Sequence, residues 1–411
     1  TTVAAIGLQS VQIAALSNSQ IQALSNPVIG ALSTTQLSFF TTSALPALTT
    51  DQIRTLVSSQ VASLRSSQLL VLTSAQWSAL STSGVAGLSS AQISNISTTT
   101  LPAIAYTQFG ALNSSQLLGF NTLQISQLTT NQIGFLTTAA VQGLSSTQVA
   151  VLSSPQVQAL SNPAIGAFST SQVSLFSSST LLALSTSQVR MLRSGQAAVL
   201  RSSQLAALSS AQLQAISTAG LTSTQLASLN TSALQVLTST QIKALSSSQL
   251  TGLDPAQVGQ LTTKQIQVIN PTAVLGLRST QIAAWSSLQI QALSSSAAGA
   301  FSSAQISFFS SATLVALTTS QVRALEESQV AGLRSSQLLA LSSSQLRALS
   351  TTGIAGLTSA QISNLATTAL TVLTSAQIKT FTSAQASGLS TLQITTLSAT
   401  QVGVLNGTAL G

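Results

Sequence analysis

The chain of 411 residues contains no cysteine and no histidine, 12 Lys and Arg against 4 Asp and Glu, 3% aromatic residues, and a formal net charge of +8. Disulfide frameworks and thiolate or imidazole metal sites are excluded, and the charge is too dispersed for a phosphate-binding stripe. Mean hydropathy is +0.47, yet apolar residues stand singly or in pairs between Ser and Thr, so no run approaches the roughly 18 to 20 residues of a bilayer span.

The opening TTVAAIG has neither a basic stretch nor a long apolar core, so any export signal is expected outside this segment. From Leu8 a large apolar residue returns at every eighth position, through Leu16, Leu24, Leu32 and Phe40 to Ile216. After one five-residue step to Leu221 the beat resumes and holds to Leu405. The octad reads Leu-Ser/Thr-Ser/Thr-x-Gln-Ile/Leu/Val-x-x, as in LSSTQVAV from Leu144. A longer repeat overlies it: LSNPVIGALSTTQLSFF at Leu24 returns, seventeen octads later, as LSNPAIGAFSTSQVSLF at Leu160. We therefore expect one continuous octad-repeat solenoid over 1–411, with super-repeats at approximately 24–159, 160–292 and 293–411, the last truncated. Neither end shows an atypical capping octad, as in a length cut from a longer array.

Numbered from its leading Leu, position 2 of the octad is Ser, Thr, Asn or Asp in 41 of 51 octads, and position 5 is usually Gln. Ser/Thr-x-x-Gln is a capping box, and the apolar residues at positions 1 and 6 form the hydrophobic staple around it. LDPAQV fits every part: Leu253 and Val258 staple, Asp254 N-cap, Pro255 at N1, Gln257 at N3. Asp51, Glu326 and Glu327 fall in the first turn of the expected helix, and Arg54, Arg190, Lys243, Arg323, Arg347 and Lys379 late in it, as the helix dipole favours. Arg65, Arg193, Arg201, Arg278 and Arg334 stand instead at position 2, from which they could reach carbonyls of the preceding helix. Against the pattern, Pro46 and Pro102 sit at position 7, inside the expected helix.

One long helix is excluded, because eight residues turn it by about 800° and leave no persistent apolar face. The expected fold is all-α, a solenoid or superhelix of very short helices, one per octad; the alternative is a β-solenoid, in which the caps would have no purpose. Gln is missing from position 5 at Val28, Gly84 and Ala140, each seven octads from the next, and at Ala44 and Thr100, also seven octads apart. If each set shares a face and seven octads make three turns, one turn takes about 19 residues; the alternative is duplication history without facial meaning.

No catalytic, cofactor-binding or metal residue emerges. Glu326 and Glu327 are adjacent and so diverge on a helix, Trp77 and Trp285 occupy core positions, and GVAG at Gly84 and GIAG at Gly353 read as close helix packing. Sequons at Asn95, Asn113, Asn230 and Asn406 are expected by chance in so Ser/Thr-rich a chain. The tandem exemplified by LSSSQLRALSTTGIAGLTSAQISNL resembles the octad arrays of very large bacterial surface or secreted proteins, described as adhesin-like or haem-utilisation-like. That resemblance implies an extracellular or cell-surface protein; without His or Cys it implies no haem ligand here. The expectation is a non-enzymatic structural repeat protein, an extracellular filament, stalk or sheath, without cofactor. Its expected partners are copies of itself, end to end or laterally, and a surface or glycan, with no nucleic acid. The alternative is an adhesin or ice-binding array.

Overall fold

The structure, a computed structural model, describes residues 7–405. Among these are 47 α-helices of four to six residues and three 3-10 turns, with no strand, so the chain is all-α. The helices recur about every eight residues and form two compact units, Thr1–Ile216 and Ser217–Gly411. The division falls at the five-residue step in the octad beat.

In the first unit, the octad from Leu48 is representative. Leu48 is extended (φ −60°, ψ 134°), as is Thr49, the N-cap (φ −71°, ψ 159°), and the helix Thr50–Arg54 follows. The Ile53 N–H donates to the Thr49 carbonyl at 3.0 Å, and the helix closes 3-10 fashion, Leu56 N–H to Ile53 carbonyl at 3.2 Å. Two extended residues per octad thus redirect the chain, and no described residue needs a positive φ. Leu48, Gln52, Ile53 and Leu56 are buried. A five-residue helix is unstable alone; burial of its two large apolar residues, at roughly 2 kcal/mol each, holds it in place.

What they are buried against sets the superhelix. Thr50–Arg54 packs on Ser74–Ala79, and Ser58–Ser63 on Thr82–Ala86, each three octads further on. Gln amides bond to carbonyls 28 to 31 residues earlier, for example Gln52 to Leu24 and Ile21. One turn therefore takes close to 28 residues, or three and a half octads. This corrects the shorter turn expected from the sequence: the seven-octad spacing of Val28, Gly84 and Ala140 is two turns, not three, because a half-integral number of octads per turn also closes after seven.

The proline octads are accommodated by a change of helix type. Leu45–Ala47 and Leu101–Ala103 are 3-10 turns with Pro46 and Pro102 at their centres. Their cap hydroxyls still work: the Ala44 N–H donates to Thr41 Oγ1 at 3.1 Å and the Thr100 N–H to Ser97 Oγ at 3.2 Å.

The second unit is built alike, with Ser223–Ala227 packing on Ser247–Gly252 and Pro255–Gly259 on Ser279–Ala283. At its start the shortened step is taken by a 3-10 turn, Thr218–Gly220. Buried Thr218 donates its hydroxyl to the Gln241 carbonyl at 3.0 Å.

Candidate functional site

The recurring chemical unit of the described residues is the joint between turns. At Asp254 the capping box is complete. Asp254 Oδ1 accepts from the Gln257 N–H at 2.7 Å, and the Asp254 N–H donates to Gln257 Oε1 at 2.8 Å, with Pro255 at N1. Gln257 Nε2 then reaches one turn back to the carbonyls of Leu229, at 2.6 Å, and Ala227, at 3.0 Å. Those carbonyls lie at the C-terminal end of Ser223–Ala227, where a helix leaves its acceptors without intrahelical donors. One side chain therefore caps the start of its own helix and the end of the helix a turn earlier.

The device recurs throughout both units. Gln52 reaches Ile21 and Leu24 at 2.9 and 2.7 Å; Gln281 reaches Leu250 and Leu253 at 2.8 and 2.7 Å. These side chains are buried, Gln52 at 1% exposure and Gln281 at 0%. The signal for this second role was in the sequence. A capping box accepts Glu as readily as Gln, yet no octad has Glu at position 5, because a buried carboxylate has no N–H to give to two carbonyls.

The arginines at position 2 join the same carbonyls. Arg278 Nη2 stands 3.1 Å from the Leu253 carbonyl and Arg334 Nη2 3.2 Å from that of Phe309, while Arg65 and Arg201 make the equivalent contacts with Phe40 and Phe176. Four of the five thus address the helix one turn earlier, 25 residues back, and not the preceding helix. Losing the capping hydroxyl is offset by a cation at a helix C-terminus.

Other residues picked out from the sequence serve packing or face solvent. Glu326 is an N-cap residue and Glu327 lies in the first turn; both line an open surface groove with Ser328, Ala331 and Thr352. Arg54 pairs with Asp51 at 2.9 Å, both well exposed. Among the described residues no three acidic side chains converge on a metal-sized site, and no helix is long and apolar enough to cross a membrane. Trp77 and Trp285 are buried. In GVAG and GIAG, a Cβ on Gly87 would collide with the Ser58 carbonyl oxygen and one on Gly356 with that of Glu327, so the motifs mark close helix approach. Asn113 and Asn230 are N-caps, Asn95 bonds the Ala91 carbonyl at 2.8 Å, and Asn406 lies outside the described residues.

Residues 135–162 and 330–367 match the ALTTAQ repeat family. The first match spans the helices Thr138–Gln142, Ser146–Ala150 and Ser154–Ala159 of the first unit; the second spans Ser335–Ala340 to Ser359–Ser363 of the second. Both contain octads whose Ser and Gln positions build the joint, as at Ser145 and Gln148 or Ser342 and Gln345, and one octad in each has Ala140 or Gly353 in place of the Gln. No curated protein matches the chain.

Proposed function

We propose that this repeat protein is a non-enzymatic structural element of the bacterial cell exterior, a filament, stalk or sheath that acts by length and by association with copies of itself. The observation that carries the reading is the reach of its contacts. Helices pack on helices three octads away, and the joint bonds carbonyls one turn back, so each turn needs only its neighbours and the stack can continue without limit. The recurring hydroxyls of position 2 and amides of position 5 are engaged in that joint, while those of position 3, such as Ser58, Thr82 and Thr130, stay exposed. The extracellular placement rests on the resemblance to surface-protein octad arrays.

The test is negative-stain electron microscopy of the purified chain at low and high salt. Extended, unbranched particles of constant width, insensitive to salt and formed without nucleotide, metal or haem, are expected. Compact particles only would overturn the reading in favour of an adhesin.

A further inference from the structure

The outer surface of the first unit carries a line of large apolar side chains. Residues 28 apart stand above one another on successive turns, as the Gln-to-carbonyl bonds require. Val11, Phe39, Leu70, Leu123, Val151 and Leu182 are all exposed, by 37 to 78%. Phe39 follows Val11, and Val151 follows Leu123, at the separation of 28 residues that Gln52 keeps from Leu24. Leu70 follows Phe39, and Leu182 follows Val151, at the 31 residues between Gln52 and Ile21. Together they mark a strip running along the superhelix, with one large apolar residue on almost every turn. The break falls at Asn95, whose amide bonds Ser66 Oγ at 3.3 Å. Asp51, Arg54, Arg190 and Arg193 lie further round their turns from the strip, and Arg65, between Phe39 and Leu70, sends its guanidinium to the Phe40 carbonyl. The second unit repeats the feature: Phe308, Leu339 and Leu392 are exposed by 56 to 67% and keep the spacing of Phe39, Leu70 and Leu123.

We propose that this strip is the lateral interface through which two copies of the chain lie side by side. The proposal rests on the self-association reading above and identifies its face. Three features point to a second copy. A ridge once per turn can be met on every turn only by an object with the same axial repeat, which another copy supplies. The strip's own side chains are uncharged, and the cation beside them, Arg65, is turned onto the Phe40 carbonyl. Finally, six large side chains, each exposing about half of roughly 150–200 Å², offer on the order of 500 Å² of apolar area. With the Ser, Thr and Ala between them, that approaches the roughly 800 Å² per partner of a stable interface, and it lies in the range at which apolar patches on monomers are commonly functional.

The test combines Leu70→Ser, Leu123→Ser and Leu182→Ser in the full chain. Sedimentation should show wild type pairing and the triple variant pairing about tenfold or more weakly, with an unchanged circular dichroism spectrum and particle length. Since the chain has no cysteine, Leu123→Cys should also give a disulfide-linked pair on oxidation, and exposed Thr138→Cys, about half a turn away, should not. Extended wild-type particles that stay single, or that pair as tightly in the triple variant, would overturn the strip while leaving the filament reading intact. Compact particles would overturn both. Flotation of unpaired wild type with phosphatidylcholine vesicles, lost in the triple variant, would overturn the second copy in favour of a lipid surface.

Discussion

Gln281 holds three backbone groups at once: its Oε1 accepts the Arg278 N–H at 2.7 Å, and its Nε2 donates to the Leu250 and Leu253 carbonyls at 2.8 and 2.7 Å. The last two belong to the preceding turn of the superhelix, so a single amide spans both the start of one helix and the end of another. Gln281→Met, which keeps the volume, should destabilise the surrounding turns by about 1–3 kcal/mol through the unmet backbone groups. Hydrogen exchange at the amides around Leu250 and Ile282 would report it, and unchanged protection would count against the joint.

Gln52→Glu separates the two roles. The carboxyl can still accept from the Thr49 N–H, but ionised it faces the Ile21 and Leu24 carbonyls in a buried position with no arginine on them, so its folded pKa is raised above the unfolded value of about 4.3. For a carboxyl shifted upward, stability is retained below the unfolded pKa and falls as pH rises past it. The variant should therefore approach wild-type stability near pH 4 and fall below Gln52→Met at pH 7, measured as denaturation midpoints across that range.

At Asp254 the prediction concerns the cap alone. Asp254→Ala should cost about 0.5–2 kcal/mol, Asp254→Asn far less because Asn caps equally well, and Lys379→Ala less than about 0.5 kcal/mol. Equal losses at Asp254 and Lys379 by urea denaturation would remove the capping assignment.

A Cβ on Gly276 would collide with the Ser247 carbonyl oxygen, one turn back, whereas one on Gly403 meets nothing within 4 Å. Gly276→Ala should thus destabilise by about 1–3 kcal/mol. Gly403→Ala should be neutral, or stabilising by up to about 1 kcal/mol, through helix propensity. Thermal melts of the two variants separate close turn packing from helix propensity.

The octad, its caps and the short helices were legible because they depend on neighbours within one helix: Asp254, Pro255 and Gln257 declare one another. The turn was not. The seven-octad recurrence of Val28, Gly84 and Ala140 divides into two turns or three with equal ease, and the partner that decides, a carbonyl on the preceding turn, is a backbone group that every residue type carries. The same blindness misdirected the position-2 arginines, since Arg278 finds Leu253 only once the turn length is known. Pro46 and Pro102 looked like contradictions because a helix was assumed to be α; a 3-10 turn lacks the i to i−4 bond that proline would break.

The Gln amides of the joint reach toward residues already behind them in the chain, as Gln393 does to Leu365 and Ile362. A chain leaving the ribosome thus meets, at each new turn, acceptors that have already emerged, and the separation between partners stays near 28 residues however long the array becomes. Contact order in such an array falls as length grows, opposite to the usual handicap of large proteins. Synthesis at about 5–20 residues per second supplies one turn every few seconds, so each turn after the first finds its acceptors already made.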